Sequence, residues 1–134
     1  MKIGLIAPFR NKVHSYYSNN LRLRRFFAEN KHVPGFFHSN LALLTIAALT
    51  PEEVEVTLID ERVDTLTFEE DFDAVGITMM TAQAQRGYEI ANRFRERGVY
   101  VILGGIHATV LPEEARTHCD TLIAGEAEPG ATVP

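Results

Sequence analysis

Two short runs stand out for what their residues can and cannot do. Thr78-Met79-Met80-Thr81 follows one apolar stretch, and Gly104-Gly105-Ile106-His107 follows another. The first sets two hydroxyls beside two flexible thioethers, which adapt to irregular aromatic shapes. The second lacks Cβ atoms at two consecutive positions, so a flat or bulky group can come close to the main chain. Pro8-Phe9, Asp60-Glu61 and Gly125-Glu126 close three further apolar runs. A pocket made of such ends suits a large neutral ligand better than a phosphate. The competing reading of the same spacing is a tight glycine turn with the methionines in a core. His107 is expected at the pocket mouth, within hydrogen-bonding reach of a ligand amide, with a surface or capping role as the alternative.

Several familiar chemistries are excluded by what is missing. No G-x-G-x-x-G follows the first apolar run and no Walker phosphate loop occurs anywhere, so neither dinucleotide nor P-loop binding is indicated. Pro8-Phe9-Arg10-Asn11 is not the hydroxyl-rich loop that a flavin phosphate requires. Thr78-Met79 stands where a phosphorylated receiver domain needs an aspartate. The single cysteine, Cys119, makes neither an internal disulfide nor a cysteine cluster and reads as a buried structural thiol. Glu126 and Glu128 line the mouth without a partner that would make them an acid–base pair. No catalytic residue and no metal ligand is assigned, which leaves a free-standing enzyme as the weakest functional class.

The elements that position these residues follow from hydropathy. Residues 2–8 form a short apolar run that Pro8 ends, suited to a buried central strand. Residues 41–49 are apolar almost all round, with Ser39 or Asn40 as N-cap and Thr50-Pro51 as stop. A helix without a polar face is expected to be buried on several sides. Residues 54–60 alternate Val54, Val56 and Leu58 against Glu55, Thr57 and Ile59, as a strand near an edge does. Residues 72–80 read as a second buried strand, after which Thr81 caps a helix running to Arg97. Ala84, Gly87, Tyr88, Ala91 and Phe94 share one face of that helix, and Gly98 is its expected stop. Residues 99–103 and 121–124 are the remaining strands, with a short helix opened by Pro112-Glu113-Glu114 between them. Strands alternating with helices specify crossover units. The expected fold is a doubly wound, flavodoxin-like (Rossmann-like) α/β domain with a five-stranded parallel sheet of order 2-1-3-4-5 and helices on both faces. In such a sheet ligands bind at the carboxyl ends of the strands, near the switch point.

Size and charge set the outer bounds. The 134 residues are enough for one domain with its own core. A net charge of −5 argues against general nucleic-acid binding, and no apolar run is long enough for a membrane span. The lone cysteine fits a reducing compartment, so a cytoplasmic location is expected. Residues 10–31 hold six basic side chains against Glu29, a solvated face or a surface for an acidic partner. The 9–38 link, about thirty residues, is far longer than an ordinary strand–helix loop, and Leu23, Phe26 and Phe27 can form a short amphipathic helix in it. The stretch 125–134 carries two prolines and two glycines and no covering helix. These features give the expectation of a single domain, 1–134, that is the N-terminal fragment of a longer polypeptide.

Four runs carry a resemblance. Val75-Gly-Ile-Thr-Met-Met-Thr-Ala-Gln, Val101-Ile-Leu-Gly-Gly-Ile-His-Ala-Thr, Leu111-Pro-Glu-Glu-Ala and Ala124-Gly-Glu-Ala-Glu occur in that order. Together they closely resemble the N-terminal cobalamin-binding domain of cobalamin-dependent radical S-adenosylmethionine enzymes. Leu41-Ala-Leu-Leu-Thr-Ile-Ala-Ala-Leu-Thr-Pro and Thr57-Leu-Ile-Asp-Glu resemble it too. The resemblance implies that the cofactor's nucleotide tail lies in a slot between strands. Thr78 and Met80 fall on the family's S-x-L pattern, Gly104 and Gly105 match its Gly-Gly, and Gly125 and Glu126 fall at the mouth. Pro8, Met79, Thr81, Ile106 and His107 complete the expected cofactor-binding set, His107 toward a corrin amide. The D-x-H-x-x-G that supplies a cobalt-binding histidine is absent: Lys12-Val13-His14-Ser15-Tyr16-Tyr17 keeps only His14, with no aspartate to orient it. The resemblance further implies a module that presents the corrinoid to a following radical domain of the same polypeptide, for methyl transfer, cyclisation or related radical chemistry. That domain would hold the 4Fe-4S cluster and S-adenosylmethionine, because the C-x-x-x-C-x-x-C motif is absent here. The alternative is a cofactor-free interaction domain of the same fold.

Overall fold

The computed structural model describes residues 1–9 and 39–127. Strand β1 (Lys2–Ala7) takes an interior position, paired on both sides, as its continuous apolar run requires. It pairs in parallel on both sides, placing Ile6 opposite Ile59 of β2 (Glu55–Asp60) and Ile77 of β3 (Ala74–Thr78). β3 pairs with β4 (Tyr100–Gly104) along five residues, ending at Thr78 opposite Gly104. β4 pairs with β5 (Thr121–Leu122) over two residues only. The sheet order is β2-β1-β3-β4-β5 with every pairing parallel, which is the doubly wound order read from the sequence. The switch point lies between β1 and β3.

Helix α1 (Ser39–Leu49) covers one face of the sheet, and α2 (Ala84–Glu96), α3 (Ile106–Val110) and α4 (Pro112–Arg116) follow along the chain after β3 and β4. α2 buries Ala84, Gly87, Ile90, Ala91 and Phe94, the face expected from three- and four-residue spacing with Ile90 added and Tyr88 only half-buried. Phe94 is fully buried, with the rings of Phe68 and Phe72 at 5.1 and 6.1 Å. Burying a side chain of that size contributes roughly 1.5–3 kcal/mol. Gly98 ends the helix at φ +77°, a conformation open to glycine and costly for other residues.

Four expectations change. Thr81 does not cap α2: Thr81–Gln83 is a turn of 3-10 helix, and the Met80 N–H donates to Gln83 Oε1 at 3.1 Å. α3 was not expected at all, because Gly104-Gly105 reads as a loop and five residues give no periodicity. On β2 the alternation runs the other way at its end, with Ile59 buried and Leu58 42% exposed. The sheet is covered on both faces, and Ile59 joins the larger core while Leu58 lies beyond the cover of α1. Finally α1 is not buried on several sides among the described residues. Leu43 is buried, Ile46 and Ala47 join it against β1 and β2, and Leu41, Leu44 and Leu49 stay exposed. No helix among the described residues is long and apolar enough to cross a membrane.

Candidate functional site

Parallel strands deliver their carboxyl ends to one edge, so Pro8, Thr78–Thr81, Gly104–His107 and Gly125-Glu126 are brought there as the sequence led us to expect. The ends of β3 and β4 are stitched reciprocally. The Met79 N–H donates to Gly104 O at 3.3 Å, and the His107 N–H donates back to Met79 O at 3.1 Å. This close approach explains Gly105. Its backbone lies at φ +92°, ψ −174°, and a Cβ there would stand 2.7 Å from Thr78 Oγ1, 2.8 Å from Met79 N and 2.9 Å from Met79 O. Gly105 is glycine because its own chain crowds it. Gly104 is different: a Cβ would meet only Ile123 O at 3.8 Å and Ile123 Cβ at 3.9 Å. A Cβ at Gly125, at φ +87°, would meet nothing within 4 Å. The Gly-Gly pair thus divides its work, the second residue closing the turn and the first leaving room beside β5.

Thr78 and Met80 are half-buried, and Thr81, Gly125 and Glu126 are exposed. Ile106 is 62% exposed beside the glycine corner. None of Thr78, Gly104, Ile106 and Gly125, which lie at or just after the ends of β3, β4 and β5, carries a charge. Three expected contacts need correction. Pro8 is fully buried at the end of β1. Met79 is 1% exposed and belongs to the core beneath α2, where its Sδ would sit 2.5 Å from a Cβ on Gly87. Alternation along an extended chain turns Met79 inward where Thr78 and Met80 turn out. His107 does not emerge at the mouth either, being 3% exposed.

The imidazole of His107 is instead the centre of a small polar network. Nδ1 lies 3.3 Å from Thr81 Oγ1, and Nε2 lies 2.9 Å from the Tyr88 hydroxyl and 3.1 Å from Glu114 Oε1. The Tyr88 hydroxyl lies 2.9 Å from the same carboxylate oxygen and donates to it. Both ring nitrogens thus have a partner, Thr81 at Nδ1 and the Tyr88–Glu114 pair at Nε2. Burial, reinforced by the hydrogen bond to Glu114, pushes the Tyr88 phenol well above its ordinary pKa. The Tyr88 hydroxyl, then the His107 ring, holds the Glu114 carboxyl below the usual carboxylate range. Tyr88 also stacks on His118 at 4.0 Å. Neither Tyr88 nor Glu114 was singled out in the sequence as a site residue. Tyr88 was assigned to a packing face, and nothing in linear spacing couples it to a glutamate 26 residues later.

Glu61, one of the strand-end residues read from the sequence, is engaged by its own chain just after β2. Glu61 accepts the Phe9 N–H at 3.0 Å and a forked pair from Arg86 at 2.6–3.2 Å, while Arg86 also reaches Glu89 at 3.3 Å. It ties the end of β1 and the turn after β2 to α2. Cys119 is buried, as expected, and burial pushes its thiol up. His14, the basic 10–31 stretch and Glu128 lie outside the described residues.

Residues 31–132 match the B12 binding domain family. This chain belongs to that family. The cobalamin-binding domain expected from its motifs is therefore the family found, and the sheet order agrees with it. Among curated proteins the chain is 46% identical over 93 residues to bacteriochlorophyllide d C-8(2)-methyltransferase of Chlorobaculum tepidum, covering 69% of this chain and 20% of that protein. It is 40% identical over 91 residues to bacteriochlorophyllide d C-12(1)-methyltransferase of the same organism, covering 66% and 20%. An uncharacterized methyltransferase of Pyrococcus horikoshii is 32% identical over 111 residues, covering 73% and 24%. The chain thus spans about a fifth of the length of these relatives. No solved structure matches it.

Proposed function

We propose that residues 1–134 are a domain that holds cobalamin at the carboxyl ends of β3, β4 and β5 and presents it to a radical S-adenosylmethionine domain further along the same polypeptide. The observation that carries this reading is Gly104, where a Cβ would meet only Ile123 and that at ordinary van der Waals distance, next to the uncharged residues Thr78, Ile106 and Gly125. Thr78 and Met80 would line the slot, Ile106, Gly125 and Glu126 its mouth, and Gly105 would keep the corner tight enough for both walls to stand. Bound cobalamin supplies methyl-transfer chemistry at its cobalt, and the methyltransferase names of the relatives support methyl transfer over the other radical reactions. An iron–sulfur cluster and S-adenosylmethionine belong in this reading to the following domain, for which relatives whose matched segment is only 20% of their length leave ample chain. The protein's own part is binding and orientation.

The test is an anaerobic, dark titration of the chain with hydroxocobalamin, followed by gel filtration and absorbance. Co-elution with a base-off spectrum, abolished by Gly104→Val in a variant of unchanged stability, is the expected result. A folded wild-type chain that leaves hydroxocobalamin free would sink this reading and return the cofactor-free interaction domain.

A further inference from the structure

We infer that His107 is a positioning residue, which holds the two loops lining the cofactor slot in register rather than touching the cofactor. The inference rests on the cobalamin reading above and deepens it. Its basis is how weakly α3 is otherwise attached. A five-residue helix has no stability of its own, since isolated helices need roughly 12–15 residues to persist. Its N-cap, Gly105, supplies no side-chain cap. Ile106, Val110 and Leu111 point outward at 62%, 64% and 44% exposure, which leaves His107 and Ala108 as the buried side chains of α3. Of these two only His107 makes directional contacts. It reaches the loop after β3 through Thr81, α2 through Tyr88 and α4 through Glu114. Thr109 adds a bond from its hydroxyl to Gly105 O at 2.9 Å and accepts the Gly125 N–H at 2.9 Å, so the corner that His107 anchors extends to the turn after β5. Without the imidazole, the glycine corner keeps its backbone bonds to the end of β3 but loses its side-chain ties to Thr81, Tyr88 and Glu114.

Cobinamide, the corrinoid that lacks the nucleotide tail, separates slot from corrin. Wild type, His107→Ala, His107→Gln and Tyr88→Phe are compared by titration with cobalamin and with cobinamide, each variant first checked by circular dichroism and thermal unfolding. His107→Ala is expected to weaken cobalamin about tenfold, the equivalent of one buried hydrogen bond. Its cobinamide affinity should stay at the wild-type value, and its bound cobalamin should shift from base-off toward base-on as the tail leaves the slot. His107→Gln, whose amide reaches the Nε2 position, should recover most of the loss. Tyr88→Phe should move in the same direction as His107→Ala by a smaller factor. A lowered unfolding midpoint with the wild-type ratio of cobalamin to cobinamide affinity, and no base-on shift, overturns the inference while leaving the cofactor reading intact. A wild-type chain that binds both corrinoids equally overturns the slot itself.

Discussion

Gly105→Ala gives the sharpest test of how the glycine corner is built. The backbone there, at φ +92° and ψ −174°, lies in a region nearly restricted to glycine, and a side chain in it costs roughly 1–3 kcal/mol. The added methyl would also stand 2.8 Å from Met79 N and 2.9 Å from Met79 O, backbone atoms that cannot rotate away. Relief requires giving up the bonds Met79 N–H to Gly104 O and His107 N–H to Met79 O, about 1 kcal/mol each. The sum, about 3–5 kcal/mol, is a large part of the roughly 5–15 kcal/mol that holds a domain together. Gly104→Ala has neither problem, since its methyl finds nothing nearer than 3.8 Å and its φ is not positive. It should change stability by less than about 1 kcal/mol, with a small gain from restricting the unfolded chain. Urea unfolding of both variants measures the contrast. A Gly105→Ala midpoint equal to wild type, or a Gly104→Ala loss as large as that of Gly105→Ala, would refute the division of labour between the two glycines.

Gly87→Ala should destabilise by roughly 1–2 kcal/mol, because its methyl displaces Met79 Sδ and overpacks the core by more than the alanine gains in helix propensity. In a double-mutant cycle Met79→Ala should absorb most of that cost, and additive losses would count against the contact. Glu61→Ala removes the acceptor of the Phe9 N–H and one partner of Arg86 and should cost about 1–3 kcal/mol in urea unfolding, with Glu61→Gln recovering part of it. Glu114 titrates below its unfolded value, so the stability it contributes is fully present above the ordinary carboxylate range and is lost as the pH falls through its folded pKa. An acid titration of Glu114→Gln should accordingly be flatter than wild type over that window, and superimposable curves would contradict the assignment.

The strand order was legible because each of the five apolar runs is short and bounded, and crossover handedness leaves few ways to join them. Gly98 and Pro112 punctuate their helices where their chemistry demands. What could not be read depended on contacts distant in sequence. Whether Met79 faces a ligand or a core is decided by Gly87, one turn into the next helix, and by the phase of an extended segment. The burial of His107 is decided by Tyr88 and Glu114, one on a packing helix and the other in a first-turn acidic pair. The two glycines at 104 and 105 look equivalent in the sequence and differ only because the end of β3 crosses one of them. Leu58 and Ile59 exchanged roles because both faces of β2 are covered to unequal depth.

That inequality has a consequence for how the domain breathes. One face of the sheet is sealed by Ile6, Ile59, Phe72, Val75, Ile77, Ile90, Phe94, Val101 and Leu103 with their neighbours. The other, among the described residues, is sealed by Leu5, Ala7 and Leu43 with a few half-buried partners. Amide exchange should therefore divide the molecule in two, with α1 releasing its protons through cheap local openings and β3, β4 and α2 exchanging only when the whole domain unfolds. The glycine corner hangs from the slow half, so whatever it grips is held by the part of the domain that opens last.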